Sequence, residues 1–156
     1  MKGYKALIDN LTNRYGYHYE IGKKNILNGE LKWGENGFHF CLWPEDTLRY
    51  VDGFNDNVVF AIVEAEGELI LYEDEYYGFY DMYASSEMTI IDVLNKHEIF
   101  KIIVDSGVPF RVERMISLLK LDESEQEQII KKYPGLIDTI NYYQRDEYIL
   151  KRKLGK

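Results

Sequence analysis

The sequence predicts an α+β fold: a β-rich module over residues 1–95, antiparallel or mixed with one short helix, then a helical extension over residues 96–156 packed on or beside it. Three observations carry that prediction. Short aromatic and β-branched runs divided by Gly and Asn fill the N-terminal part. Apolar residues recur at helical spacing in the C-terminal part. An Asp-x-x-Glu signal then marks the start of one of those helices.

HYEIG at His18–Gly22, ELKWG at Glu30–Gly34 and GFHFC at Gly37–Cys41 are expected as strands. The last two flank Glu35-Asn36-Gly37, whose turn chemistry predicts a hairpin. Pro44 opens a short helix, PEDTLRYV, in which Glu45 and Asp46 complement the dipole. Val58–Gly67 is the most apolar stretch and reads as a central strand, with GELILYEDE (Gly67–Glu75) as its hairpin partner. Further on, Val112, Met115, Ile116 and Leu119 make one apolar stripe, and Asp122 with Glu125 forms a capping box. That next helix breaks at Pro134-Gly135. Leu136, Ile140, Tyr143 and Leu150 then continue a helical face into Lys151-Arg152-Lys153.

A chain of 156 residues, 46% apolar, is long enough to bury a core and too apolar for intrinsic disorder. Its one cysteine, Cys41, forms no intramolecular disulfide. The opening MKGYKALIDN has no signal-peptide core, and no apolar run nears the roughly 18 residues of a membrane span. A protein of the bacterial cytoplasm, with no membrane partner, is the expectation.

Charge is concentrated rather than spread. The net charge is −8, yet residues 50–95 hold eleven Asp and Glu and no Lys or Arg. Such a block repels nucleic acid and attracts a basic partner. Tyrosines are interleaved with it, among the 14 of the chain. The predicted partner-binding surface is therefore Glu73, Asp74, Glu75, Tyr76, Tyr77, Tyr80, Asp81 and Tyr83, where carboxylates steer and tyrosines supply contact area. The partner would be a host protein with a basic surface, such as nucleic-acid-handling or CRISPR-type defence machinery, and the protein its inhibitor. Solubility alone is the competing explanation, under which the chain is a small soluble protein with no activity inferable from its sequence.

Catalytic and metal motifs are sparse. His39 and Cys41 share a strand face but fall short of a zinc ligand set, so no metal is expected. Glu73-Asp74-Glu75 lacks a calcium-loop pattern. Ser85 and Ser86 beside Glu87 lack a nucleophile elbow, and both phosphate-cradling Gly motifs are absent.

Met1–Lys5, Tyr19–Lys23, Gly37–Pro44 and Val63-Glu64 with Gly67 together resemble a family of small uncharacterised phage and prophage proteins, over residues 1–94. Relatives often carry a second cysteine where this chain has Trp33-Gly34. The resemblance implies a phage or mobile-element origin and carries no activity. A looser likeness is to ADP-ribosyltransferase split sheets, laid on Gly37–Cys41, the PEDTLRYV helix and the Ser86–Ile90 segment. It implies an NAD-dependent enzyme with Glu87 as catalytic acid and His39 or Tyr19 in the NAD cleft; otherwise no cofactor is expected.

Overall fold

The architecture follows from two long strands that bend. The structure, a computed structural model, describes residues 1–72 and 82–154. In chain order the strands are β1 (Lys2–Ile8), β2 (Lys24–Ile26), β3 (Phe38–Cys41), β4 (Val58–Tyr72) and β5 (Met82–Leu94). The helices are α1 (Pro44–Thr47), α2 (Lys96–Asp105), α3 (Pro109–Leu118), α4 (Glu123–Lys132), α5 (Ile137–Tyr143) and α6 (Asp146–Lys153). All strand pairings are antiparallel, in the order β2-β5-β3-β1-β4, and β4 returns to pair with β5. The sheet therefore closes on itself as a small ring, β1-β4-β5-β3, with β2 following β3 along the same edge of β5. The fold class is α+β, with the sheet mainly N-terminal.

Ring closure depends on a glycine. β1 meets β3 through Tyr4 opposite Cys41, and a Cβ on Gly3 would stand 2.5 Å from the Phe40 ring and 2.7 Å from the Cys41 carbonyl oxygen. A second glycine bends β4. Gly67 has φ +72°, in the left-handed region, where the β4–β5 register shifts between Glu66 and Leu69. Ser86 Oγ accepts the Glu68 N–H at 2.8 Å and seals the bulge.

This bulge is why GELILY is not a hairpin partner. It is the second half of β4 itself, and the partner is β5. The expected ELKWG–GFHFC hairpin is also absent. Lys32 bridges Asn36 in a tight loop, closed by Asn36 Nδ2 donating to the Glu30 carbonyl at 2.8 Å. Only Phe38–Cys41 becomes a strand, and it pairs with β1 and β5. Residues 18–22 form isolated bridges (His18 to Thr12, Ile21 to Ile90) in place of the expected strand.

Alternation along β4 divides the core. Ala61, Val63 and Ala65 join Leu7, Phe40, Met88 and Ile90 on one face. Val58 and Phe60 face the helices, where Ile99, Phe100, Ile103, Val112, Met115 and Ile116 pack on them. The helical extension thus shares its core with the sheet. Both α2 and α4 open with reciprocal capping boxes, Asn95 with Glu98 and Asp122 with Glu125. The expected helical face from Leu136 to Leu150 is interrupted at buried Gln144. Its amide donates to the Ile116 and Leu119 carbonyls at 2.7 and 2.9 Å and accepts from Leu121 N at 2.9 Å, serving the end of α3. Leu150, beyond the break, is exposed. No helix among the described residues is long and apolar enough to cross a membrane.

α1 is four residues long and entirely buried. Its carboxylates face α3. Arg111 grips Glu45 through Nε and, at 2.9 Å, through Nη2, while Arg114 pairs with Asp46. The i, i+3 spacing sets both arginines on one side of α3. Arg111 also lies 4.5 Å from the Trp43 ring centroid. Burial pushes the Asp46 carboxyl up to about 6, against the pull of Arg114.

Two variants test these constraints by urea denaturation. Gly3→Val is expected to cost about 1–3 kcal/mol by overpacking. Arg111→Ala strips a buried carboxylate of its partner and is expected to cost about 3–5 kcal/mol. Glu45→Gln placed on Arg111→Ala is expected to recover a large part of that loss, because the uncompensated charge is then gone.

Candidate functional site

A cavity of about 680 Å³ opens where β1 and β3 run side by side. Its floor comes from Tyr4, Lys5 and Ala6 of β1 and from His39, Phe40 and Cys41 of β3. Loops around Asn13–Tyr15, Trp33–Glu35 and Arg49–Val51 form the walls, with Tyr72 and Met82 at the ends of the two long strands. The strand floor fixes Lys5, because β1 is paired on both sides.

Lys5 Nζ donates to the His39 carbonyl at 2.6 Å and lies 5.8 Å from the Tyr19 ring centroid. No carboxylate among the described residues pairs with it. Burial lowers its amine to about 8, helped by the nearby Arg14 charge and opposed by Cys41. His39 Nε2 accepts the Gly34 N–H at 3.0 Å, which requires a neutral ring protonated at Nδ1. Burial, then the Lys5 charge, holds the His39 pKa below its usual value. Burial likewise raises the Tyr19 hydroxyl, and lifts the Cys41 thiol and the Tyr50 hydroxyl to about 12 each. Cys41 is therefore a neutral thiol near pH 7, not a nucleophile.

Aromatic rings line this space closely. Trp33 stacks on Tyr72 at 4.6 Å between centroids and meets His39 edge-on at 4.7 Å. The Arg14 guanidinium lies 4.8 Å from the Tyr15 ring and 5.8 Å from Tyr50. Lys5, Arg14 and Arg49 are the basic side chains of the lining, and among the described residues Glu35 is its one acid.

Of the residues expected at an NAD cleft, the structure brings Tyr19 and His39 together on this lining. Glu87 stands elsewhere. It lies on β5 opposite Ile26 and Glu66, and Lys24 bridges it at 2.8 Å to Glu66 at 2.7 Å. Of the expected partner-binding surface, Glu73, Asp74, Glu75, Tyr76, Tyr77, Tyr80 and Asp81 lie outside the described residues. Tyr83 is half-buried and stacks on Phe40 at 5.6 Å. Several other acids of the base-free segment borrow cations from beyond it. Glu64 approaches the N-terminal amine at 3.6 Å and Asp56 approaches Lys96 at 3.6 Å. Among the described residues no three His, Cys, Asp or Glu side chains gather to hold a metal ion. The sequence reading missed Lys5, Arg14, Trp33 and Arg49 as lining residues, and took Tyr50 only as one of the tyrosines of the acidic segment; of the four, only Lys5 carried a signal, as a charged residue facing the same way as Leu7 on a strand.

The model of a domain of unknown function, DUF7666, matches residues 1–102. The chain belongs to the DUF7666 family. No curated protein and no solved structure matches it. All of β1 to β5 and α1, and with them the whole cavity lining, fall within the DUF7666 match, whereas Arg111 and Arg114 fall beyond it.

Lys5 gives this site a stability signature. Its folded pKa is lowered to about 8 from 10.5, so the unfolded chain binds more protons between those values. Parent stability should therefore rise as pH climbs from 8 towards 10.5. Lys5→Met removes that dependence. The variant is expected to melt above the parent at pH 7 by roughly 2–4 °C, the shift that about 1 kcal/mol gives at this size, with the gap narrowing at pH 9.5.

Proposed function

We propose that the cavity is a receptor site for an anionic, ring-bearing small molecule of the nucleotide class, and that the protein acts by binding it. One observation carries this reading. In a chain of net charge −8, three basic side chains against one carboxylate, Glu35, line an aromatic-walled cavity among the described residues. That local reversal of sign draws in an anion, and the Tyr15, Trp33 and Tyr50 rings offer planar surfaces for stacking. The volume lies within the range of small-molecule sites. Transfer of ADP-ribose asks in addition for a carboxylate at the nicotinamide ribose. Glu87 is held by Lys24 away from the lining, which favours binding without transfer.

The phage or mobile-element setting is proposed on the motif resemblance of residues 1–94 alone. A second reading, docking of a basic host protein on the acidic block, draws support from Leu69 and Leu71. These are exposed on β4 directly before the acid–tyrosine run. Charge reversal of Glu73, Asp74 and Glu75 should then abolish partner capture.

Calorimetry with ADP, NAD and inorganic phosphate tests the receptor reading. ADP or NAD is expected to bind at least about tenfold more tightly than phosphate, a difference of about 1.4 kcal/mol. Arg14→Ala and Trp33→Ala should each weaken that binding, and Glu87→Gln should leave it unchanged. Absence of binding by all three anions at millimolar concentration overturns it.

A further inference from the structure

Of the three cations on the cavity lining, Lys5 differs from the arginines in kind. Arg14 and Arg49 are exposed on loops, whereas Lys5 is half-buried and fixed on a strand paired on both sides. Its amine turns towards the backbone carbonyl of His39, and no carboxylate among the described residues depends on its charge. Neutralising it therefore strands no acid among the described residues. A strand-borne lysine in a cavity, beside a second cation and an aromatic ring, is the setting in which an amine becomes a nucleophile.

We propose that Lys5 captures a carbonyl: the cavity takes an anionic aldehyde or ketone, and Lys5 Nζ condenses with it to form an imine. This inference rests on the receptor reading and adds the ligand's reactive group. In the first step the neutral amine adds to the carbonyl carbon. A C–N bond forms, the C=O π pair moves to oxygen, and proton transfer gives the carbinolamine. In the second step the C–O bond breaks. The oxygen leaves as water with both amine protons, and a C=N bond remains. No electron acceptor or donor is needed, and water reverses the sequence.

Burial supplies what the chemistry requires. With its pKa near 8, a useful fraction of Lys5 is already the free amine at neutral pH, unlike an exposed lysine. Cys41, on the same lining, does not compete: its thiol is buried and raised to about 12. Arg14, on the same lining, offers its guanidinium to the anionic end of the ligand while the amine is consumed.

Two probes separate this proposal from the reading it rests on. Pyridoxal 5′-phosphate is an anionic ring-bearing aldehyde; pyridoxine 5′-phosphate carries an alcohol in its place. The full chain is incubated with one equivalent of the aldehyde, reduced with borohydride and mapped by peptide mass spectrometry. Most of the adduct is expected on Lys5, with loss of that label in Lys5→Arg and its suppression in the parent by excess pyridoxine 5′-phosphate. The suppression arm uses the parent chain, so it stands even if Lys5→Arg folds poorly. Label scattered over exposed lysines with Lys5 unmodified overturns capture. If the alcohol binds while Lys5 stays unlabelled, capture fails and the receptor reading stands; if neither probe binds, capture fails, and the titration with ADP, NAD and phosphate decides the receptor reading separately.

Discussion

Everything at the candidate site depends on how closely β1 can approach β3. Gly3 has no Cβ to collide with the Phe40 ring or the Cys41 carbonyl, so the ring of strands can shut there. Closure does more than finish a sheet. It places a charged residue of one strand, Lys5, against the backbone of His39 on the other, and the donated hydrogen bond crosses the seam itself. The cavity is the space left above that seam once the loops at Arg14, Trp33 and Tyr50 have folded over it. The pKa of Lys5 and the tautomer of His39 are thus consequences of packing, transmitted through burial and through the Gly34 N–H.

Polar groups elsewhere follow one rule, that a buried acceptor or charge must be met by a donor from another element. Glu45 and Asp46 are met from α3, and the carbonyls at the end of α3 are met by Gln144. Each of these joins segments distant in sequence. They give the molecule its specificity of arrangement, while the apolar faces of β4 and α2 to α5 supply the bulk of the burial.

Local signals were legible where local physics decides. The Asp122–Glu125 capping box needs only its own four residues, and the Val112-to-Leu119 stripe needs only one helix. The β4 strand was visible at Val58–Gly67 because its apolar content is self-evident. Its far half was misread because a glycine after a strand serves a turn and a bulge equally well, and only the pairing with β5 separates them. The hairpin at Glu30–Cys41 failed for a similar reason: Asn36 finds its partner in Glu30, inside the loop, and Lys32 bridges Asn36 where the strands would have aligned. The site was the least legible part. Tyr19 and His39 were singled out, but the residues that give the cavity its charge lie at positions 5, 14 and 49, which no spacing rule connects. Glu87 seemed free in the sequence since the base it meets, Lys24, belongs to a strand too short to announce itself.

The seam between α1 and α3 also bears on what kind of unit the DUF7666 match describes. That match stops at residue 102, and the guanidinium groups opposite Glu45 and Asp46 begin at residue 111. The matched stretch is therefore not electrostatically self-sufficient in this chain. Severed at the family boundary, it would keep two buried carboxylates without the α3 guanidinium groups that meet them, and the core around Phe60 would lose Val112, Met115 and Ile116. The matched segment and the folding segment have different ends here, and any transplant of the cavity into another protein would have to bring α3 along or neutralise α1.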